Sequence, residues 1–346
     1  MRAVQLSGPG QLVLAEVPVP EIGDDEVLVE VAAAGLCHSD LHILDQDESW
    51  PFFGNTIGHE AAGRVVRTGA GVQGLAIGDA VLVSVIWFCG RCRSCLEGRT
   101  NTCTVNGSRT QFPQTPGIGP DGGMAEYMKV RAIHVDPIGD LDPVAAAPLA
   151  DAGTTSMHAV NSALDHLRPD STVVVIGIGG LGHTGLQILR SVTGARIVAV
   201  DTSEEKLAFA REHGAQETVL SDADAAGKIL ALTHGDGVDA VLDFVGAAPT
   251  VRLATEVVAS GGALRLVGLG GGSFPFNADI SGEPLPWGVN VQRSFGGTHQ
   301  DQLEVIALAQ QGKIGVDVTT YALEDFQQAV DDLRAGKILG RAVLVP

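Results

Sequence analysis

The chain has 346 residues, a net charge of −19 and 45% apolar residues. This length is more than a single hydrophobic core usually holds, so we expect two domains. The acidic charge argues against nucleic acid and anionic membranes as partners, and no apolar run approaches the length of a membrane span.

The first third of the chain is predicted to be rich in β-strands. Short apolar runs at residues 26–33, 63–68 and 80–85 are separated by Gly, Pro and Asp turn signals, with no long amphipathic helix between them. The residues from Met1 onward also read as a strand, not as the apolar segment of a signal peptide. We therefore expect a cytoplasmic protein whose cysteines are kept reduced.

Four cysteines follow within one loop rich in Gly and Arg, at the spacing C-x2-C-x2-C-x7-C. Their number and close spacing are those of a closed, tetrahedral zinc site with four thiolate ligands. The alternative is a set of disulfides, but a reducing compartment favours metal, and an odd total of five cysteines would leave one thiol over. The predicted ligands of a structural zinc ion are Cys89, Cys92, Cys95 and Cys103.

Beyond Asp151 the pattern changes to the βαβ rhythm of a parallel sheet. One helix is predicted to open with a capping box from Thr202 to Glu205 and to close at Gly214. After about Phe295 the rhythm weakens, and the chain ends in a strand-like run. The predicted strands of this half are residues 172–176, 196–200, 238–244, 263–267 and 341–345.

The sequence VVVIGIGGLG carries a dinucleotide-binding pattern directly after the first of these strands. Gly177 allows a tight turn, Gly179 lets the backbone approach a pyrophosphate at a helix N-terminus, and Gly182 lets the helix pack on the strand. Asp201, at the end of the next strand, can accept hydrogen bonds from a ribose diol and would repel a 2′-phosphate, which favours NAD over NADP. The alternative is a tight turn without a ligand.

The fifth cysteine, Cys37, stands in GLCHSD, upstream of an isolated GHE at residues 58–60. Alone, it would more simply be a buried inert thiol. Together, GLCHSD, GHEAAGRVVRTGAG, the four-cysteine loop, GDAV and GIGGLG resemble zinc-dependent alcohol dehydrogenases of the medium-chain dehydrogenase/reductase superfamily, close to bacterial NAD-dependent secondary alcohol dehydrogenases. The resemblance covers essentially the whole chain, with the motifs in order. It implies an α/β fold, with a doubly wound parallel Rossmann sheet at residues 153–294 and a β-rich, GroES-like catalytic domain at residues 1–152 and 295–346.

The same resemblance implies a second, catalytic zinc ion. Cys37 and His59 match two of its ligands, and Asp151, where many relatives carry cysteine, matches the third. The alternative for Asp151 is a helix N-cap. Three ligands of these types leave a fourth position open for substrate. Glu60 resembles a glutamate that can approach the metal transiently, and Asp40 resembles a carboxylate that orients the zinc-bound histidine.

Further roles follow from the resemblance alone. Ser39 matches the hydroxyl that touches the substrate oxygen. His42 matches a relay histidine, a task that suits an imidazole because it exchanges protons near neutral pH; the alternative is an ordinary surface histidine. His38 and Arg341 resemble pyrophosphate contacts but could equally be surface charges. The positions that resemble the family's cofactor walls are Thr155, Gly180, Leu181, Phe244, Val245, Val267, Gly268 and, at the carboxamide, Phe295.

The predicted function is that of a homo-oligomeric, NAD-dependent zinc alcohol dehydrogenase, dimer or tetramer, acting on medium-sized hydrophobic secondary or primary alcohols. Trp50, Phe52 and Trp287 are candidates for the substrate pocket, although large aromatic residues are more often core or interface. Two alternatives remain open: another zinc-dependent medium-chain dehydrogenase, specific for polyols or aldehydes, and a non-catalytic module that binds NAD and zinc. Polyol-specific relatives usually carry a zinc-binding glutamate in Glu-Pro-Leu, where this chain has Ala147-Pro148-Leu149.

Overall fold

A computed structural model describes residues 1–274 and 285–346. The chain divides into two compact units, one formed by Met1–Thr154 with Gly296–Pro346 and the other by Thr155–Phe295. Each unit is built on a β-sheet of its own. Across the two described ranges, no helix is both long enough and apolar enough to cross a membrane.

The described part of the chain contains fifteen strands and ten α-helices. In chain order the strands are β1 (Arg2–Gly8), β2 (Gln11–Glu16), β3 (Glu26–Leu36), β4 (Glu60–Thr68), β5 (Ala80–Val83), β6 (Tyr127–Arg131), β7 (Val135–Pro137), β8 (Thr172–Ile176), β9 (Arg196–Asp201), β10 (Glu217–Leu220), β11 (Val238–Asp243), β12 (Val258–Leu266), β13 (Asn290–Arg293), β14 (Val318–Ala322) and β15 (Arg341–Val345).

The α-helices are α1 (His38–Leu44), α2 (Arg93–Leu96), α3 (Pro143–Ala146), α4 (Ala152–Asn161), α5 (Gly180–Val192), α6 (Glu204–Glu212), α7 (Ala225–Leu232), α8 (Ala248–Val257), α9 (His299–Gln310) and α10 (Phe326–Arg334). Short 3-10 turns lie at Thr100–Thr102, Ala132–His134, Ala147–Ala150, Leu164–His166 and Leu323–Asp325.

The first unit is organised around β3, which is buried along most of its length. One edge of β3 pairs with β4, and the other edge pairs first with β6 and then with β15. The complete sheet has the order β14-β15-β3-β4-β5-β7, with β6 beside β3. This pairing brings the last strand of the chain next to the strand that ends just before Cys37.

The second unit is a parallel sheet of six strands in the order β10-β9-β8-β11-β12-β13. Its first strand, β8, is fully buried and lies where the order reverses, between β9 and β11. In parallel sheets of this kind the connections leave in opposite directions at this point, and dinucleotides bind in the crevice outside the carboxyl ends of the strands. The predicted α/β class with a doubly wound sheet and a β-rich unit is confirmed.

Two predicted element boundaries differ from the structure. Helix α6 begins one residue later than its predicted capping box, because Ser203, not Thr202, is the N-cap and accepts a hydrogen bond from the Lys206 amide at 3.4 Å. Its end is as predicted, with Gly214 in the left-handed region at φ +114. Strand β12 begins at Val258, before the predicted residue 263, since it runs through two glycines that read as a turn.

Candidate active site

Cys37 follows β3 and caps α1. Its Sγ accepts a hydrogen bond from the Ser39 amide at 3.1 Å, and its own amide donates to Asp40 Oδ2 at 2.8 Å. This reciprocal capping box fixes the sulfur and the Asp40 carboxylate on the same turn of chain. The cysteine is buried, with 3% of its surface exposed. Sequence features near Cys37 therefore determine how the thiol is held.

His59 lies between Cys37, Asp40 and Asp151. Its Nε2 is 3.1 Å from Cys37 Sγ and 3.6 Å from Asp151 Oδ2, while its Nδ1 is 3.3 Å from Asp40 Oδ1. The side chains of His59 and Asp40 are buried. Nε2 of His59 therefore faces a thiol and a carboxylate, both of which are common metal ligands. Nδ1 faces the Asp40 carboxylate, and a carboxylate at this position orients a zinc-binding histidine.

The electrostatics of His59 follow from its neighbours. Burial by itself lowers the pKa of the imidazole, but Asp40, Cys37 and Asp151 together outweigh burial, so that the pKa is raised well above its ordinary value. The negatively charged neighbours of His59 therefore favour a positive charge at the position of its ring. The donor set of thiolate, imidazole and carboxylate is one that zinc accepts.

Asp151 follows the 3-10 turn Ala147–Ala150 and precedes α4. Its backbone is in the right-handed helical region, at φ −111 and ψ −62, whereas an N-cap residue typically has extended backbone. Its carboxylate is directed at His59 and at Arg341, whose Nη2 lies 3.3 Å from Oδ2. These contacts favour the ligand interpretation of Asp151 over the N-cap.

Arg341 is buried, with 4% of its surface exposed, so the surface-charge alternative for this residue is wrong. Its Nε donates to Glu60 Oε2 at 2.9 Å, and its Nη2 also bonds the other oxygen of that carboxylate. The Ala152 amide donates to Glu60 Oε1 at 3.3 Å. Burial raises the pKa of Glu60 although Arg341 opposes the shift, and Glu60 raises the pKa of Arg341 against the effect of burial. No local sequence pattern indicates this pair, because the two residues are 281 positions apart.

The remaining residues predicted around Cys37 lie on α1. Ser39 is half-buried beside the sulfur, while the side chains of His38 and His42 are exposed. The backbone carbonyl of His42 accepts a hydrogen bond from Gln46 at 3.0 Å. The relay role of His42 and the pyrophosphate roles of His38 and Arg341 stay predictions.

The four-cysteine loop folds into a compact cluster. The Sγ–Sγ distances are 3.4 Å for Cys92–Cys95 and 3.9 Å for both Cys89–Cys95 and Cys92–Cys103. All five cysteines are free, so the disulfide alternative is wrong. Zn–S bonds of about 2.3 Å at tetrahedral angles place sulfurs about 3.8 Å apart, so these residues fit a zinc ion.

Backbone amides already point at the sulfurs of this cluster. Amide groups of Arg91 and Cys92 lie 3.5 and 3.3 Å from Cys89 Sγ. Hydrogen bonds from the backbone of Cys95 and Thr104 lower the pKa of the Cys92 thiol to about 6, whereas burial raises the pKa of Cys95 to about 12. Amide donors stabilise thiolates, the form that binds metal.

The glycine loop lies between β8 and α5 in the second unit. Gly177 has φ +88, and a Cβ on Gly182 would lie 1.9 Å from the Gly177 carbonyl oxygen, so both positions require glycine. A Cβ on Gly179 would meet nothing within 4 Å, which leaves the backbone there open to a ligand. Asp201 Oδ2 accepts from the Ile178 amide at 2.7 Å and therefore lies against this loop.

The other predicted cofactor-wall residues of this unit mostly follow the carboxyl ends of strands. Phe244 and Val245 follow β11, and Val267 and Gly268 follow β12. Asp243 was not predicted as a site residue; it is fully buried and accepts hydrogen bonds from the amides of Val245 and Gly246, both at 2.9 Å. Its position as an acidic residue at the end of an apolar, buried strand is the sequence feature that could have identified it. Elsewhere in the unit, Gly180 and Leu181 open α5, Thr155 is buried in α4, and Phe295 follows β13.

Comparison with known proteins bears directly on these sites. The family model "Alcohol dehydrogenase GroES-like domain" matches residues 23–140, and "Zinc-binding dehydrogenase" matches residues 180–311. An NAD-dependent alcohol dehydrogenase of Sulfurisphaera tokodaii is 36% identical over 100% of this chain and 99% of its own length. The chain belongs to the zinc-binding alcohol dehydrogenase family.

Solved structures of other members of the zinc-binding alcohol dehydrogenase family share the fold. The alcohol dehydrogenase of Aeropyrum pernix superposes with a TM-score of 0.90 at 34% identity, and all of both chains is covered. The D-arabinose dehydrogenase of Sulfolobus solfataricus superposes with a TM-score of 0.83 at 32% identity, over 100% of this chain and 99% of that one. The predicted family resemblance is thereby confirmed.

Both metal centres of this zinc-binding alcohol dehydrogenase fit zinc. Zn–N, Zn–O and Zn–S bonds of about 2.0–2.3 Å place neighbouring ligand atoms about 3.4–3.5 Å apart in a tetrahedral site, close to the 3.1 and 3.6 Å distances around His59 Nε2. The predicted cofactors, zinc and NAD, are confirmed for the family to which the chain belongs.

The four-cysteine loop is anchored to the first unit by two histidines. The Phe88 amide lies 3.1 Å from Nε2 of the buried His134, on which Trp87 stacks. The His299 amide donates to Thr100 Oγ1 at 2.8 Å, and the His299 ring is 2.9 Å from Asp136. Burial lowers the pKa of His134 to about 4, whereas the hydrogen bond that the His299 ring donates to Asp136 raises the pKa of His299.

We expect acid to destabilise the first unit through His134. In the unfolded chain this histidine takes up a proton near pH 6.5, but the folded chain resists until about pH 4, so its contribution to the free energy of unfolding falls by about 3 kcal/mol between these values. His299 has the opposite sign, because its raised pKa stabilises the fold below pH 6.5. The free energy of unfolding, measured with urea, should therefore fall less between pH 7 and pH 4 for His134→Gln than for the unchanged protein. An equal fall in both proteins would contradict this assignment.

Proposed function

We propose that the chain is an NAD-dependent zinc alcohol dehydrogenase that interconverts an alcohol with its ketone or aldehyde. The observation that carries the proposal is the convergence of Cys37 Sγ, His59 Nε2 and Asp151 Oδ2 in the first unit. The glycine loop with Asp201 in the second unit supports the choice of NAD. The NAD-dependent activity of the full-length relative supports the reaction class.

Each side chain of the candidate metal site has its own role in the proposed mechanism. Cys37, His59 and Asp151 would hold the catalytic zinc, which when bound supplies a Lewis acid that polarises the oxygen of an alcohol or carbonyl group. Asp40 holds Nδ1 of His59, so that Nε2 faces the metal position. The glycine loop of residues 177–182 and Asp201 would hold NAD, which would supply the acceptor for hydride from the alcohol carbon.

The proton of the alcohol needs a route to solvent. Ser39, half-buried beside Cys37, carries the hydroxyl that would take this proton from the substrate oxygen. His42 is exposed on the same helix, and an imidazole exchanges protons with water near neutral pH. We therefore assign proton transfer to Ser39 and His42.

The proposed substrates are medium-sized hydrophobic secondary or primary alcohols. Trp50 and Phe52 of the first unit form an edge-to-face aromatic pair with ring centroids 5.3 Å apart, and 37% of Phe52 is exposed, which is consistent with an apolar contact surface. The D-arabinose dehydrogenase of this fold acts on a sugar, so sugars belong in the same test.

The experiment is an activity panel of primary, secondary and aryl alcohols and sugars, each with NAD and NADP in parallel, combined with zinc analysis. We expect two zinc ions per chain, reduction of NAD by at least one alcohol class, and little reduction of NADP. One zinc ion per chain with no turnover across the panel would contradict the proposal and favour a non-catalytic module that binds NAD and zinc.

We also propose a cytoplasmic homodimer or homotetramer. Of the described strands in the second unit, β13 lies at the edge of the sheet, with 36% of Val291 and 78% of the neighbouring Trp287 exposed. Free strand edges and exposed apolar side chains favour association. We expect Val291→Lys to lower the mass measured by light scattering, and Leu303→Lys, on the exposed side of α9, to leave it unchanged. A wild-type monomer would contradict the proposal.

A further inference from the structure

The ion pair between Glu60 and Arg341 spans a strand that lies between them. Glu60 is on β4 and Arg341 on β15, and β3 separates these two strands. Adjacent strands are about 4.8 Å apart, so the backbones of the pair are about 9–10 Å apart. Neither side chain crosses that distance alone, so the two side chains meet over β3.

Gly35 is the residue of β3 beneath this meeting point. It pairs with Glu60 on one side and with Val343 on the other. Directly paired residues share a face of the sheet, and so do residues two apart in one strand. The side-chain positions of Glu60, Gly35, Val343 and Arg341 therefore all lie on one face.

A side chain at Gly35 would occupy the position of the carboxylate. An ideal Cβ there would lie 1.8 Å from Glu60 Oε2 and 2.8 Å from its Cδ. The backbone of Gly35 is not in the left-handed region, so other residues could adopt its conformation. The space taken by Glu60, and not the conformational freedom of glycine, therefore accounts for this residue.

The position of Glu60 matters because it is within reach of the metal ligands. Ligand atoms of His59, Glu60 and Asp151 lie within 4.8 Å of one another. Carboxylates are ordinary zinc ligands, and a catalytic zinc site needs one position without a protein ligand. In the structure, Glu60 is instead engaged by Arg341 and by the Ala152 amide.

We propose that Gly35 is a positioning residue of the catalytic centre: its missing side chain leaves the space in which Glu60 stays bound to Arg341, and this keeps the fourth zinc position open. The inference rests on the proposed function for the identity of the metal site. A methyl group at position 35 displaces the carboxylate from Arg341. The nearest alternative counter-charge for the displaced carboxylate is the metal, which then gains a fourth protein ligand.

The test is Gly35→Ala, loaded with Co²⁺ in place of zinc at the catalytic site. We expect metal release to a chelator to slow by about tenfold or more, the scale on which residues around a zinc site alter its affinity. In the unchanged protein, added imidazole should change the visible absorption of cobalt. In Gly35→Ala we expect added imidazole to leave this absorption unchanged. The double variant Gly35→Ala/Glu60→Ala should regain the response, because no carboxylate is left to fill the position.

Gly123→Ala is the matched control. Its Cβ would lie 2.5 Å from Ala61 Cβ on β4, so it crowds the neighbouring residue without touching a carboxylate. We expect it to lower stability and to keep the response to imidazole. If Gly35→Ala behaves like Gly123→Ala, with the response retained, Gly35 serves packing alone and the inference is wrong.

A second variant covers the case in which Gly35→Ala does not fold. Arg341→Met removes the partner of Glu60 and adds nothing at Gly35, so it should also slow metal release and abolish the response to imidazole; an unaltered response would overturn the inference. Failure of the proposed function can be told apart from failure of this inference. In that case the unchanged protein would turn over no alcohol, independently of the cobalt spectra.

Discussion

Replacing Cys37 by alanine is expected to abolish turnover and to reduce the zinc content from two ions per chain to one. The substitution removes the only thiolate among the three proposed ligands and leaves His59 and Asp151 to hold the metal. A Lewis acid at the substrate oxygen is worth several kcal/mol, and each 1.36 kcal/mol is about tenfold in rate, so we expect at least about a thousandfold loss in kcat/KM.

The measurement is initial-rate kinetics with NAD, together with metal analysis after dialysis against a chelator. Cys103→Ser is the reciprocal control, because it removes a ligand of the other cluster and should spare the catalytic metal. Turnover by Cys37→Ala at the wild-type rate after such dialysis would show that the reaction does not use this metal, and the proposed mechanism would be wrong.

Cys103→Ser is expected to release the structural zinc and to destabilise the first unit. Cys103 is the most buried member of the cluster, with 1% of its surface exposed, and its sulfur is 3.9 Å from that of Cys92. Structural zinc sites contribute about 10–16 kcal/mol in small zinc peptides. Here the contacts of the loop with His134 and His299 retain part of the structure, so we expect a smaller loss, about 5 kcal/mol, or roughly 10–20 °C in Tm.

Thermal unfolding with and without a chelator measures this effect. Thr104→Ala, at the exposed residue that follows Cys103, is the matched control and should unfold like the unchanged protein. We also expect hydrogen exchange to rise between residues 89 and 103 in Cys103→Ser. A Tm within about 2 °C of the unchanged protein would show that the metal adds little to the fold.

The fold was predictable to the extent that local patterns specify it. The βαβ rhythm after Asp151 and the glycine loop gave the parallel sheet, since each strand, turn and helix carries its own signal within a few residues. The start of β12 was not predicted, because its two glycines resemble a turn locally and only pairing with β11 extends the strand. The N-cap of α6 shifted by one residue for a similar reason, since Thr202 and Ser203 are both good caps.

The sequence by itself determined the chemistry of this protein: four thiols in one loop, the lone thiol of Cys37 in GLCHSD, and a glycine turn with Asp201 after the next strand. Each of these depends on residues close in the chain, whose geometry the backbone fixes locally. The tertiary structure alone decided that Arg341 is buried against Glu60, that Gly35 leaves the space for their contact, and that Asp136 holds His299. These contacts depend on strand register and on packing between distant segments, and no local pattern encodes the register of β15 beside β3.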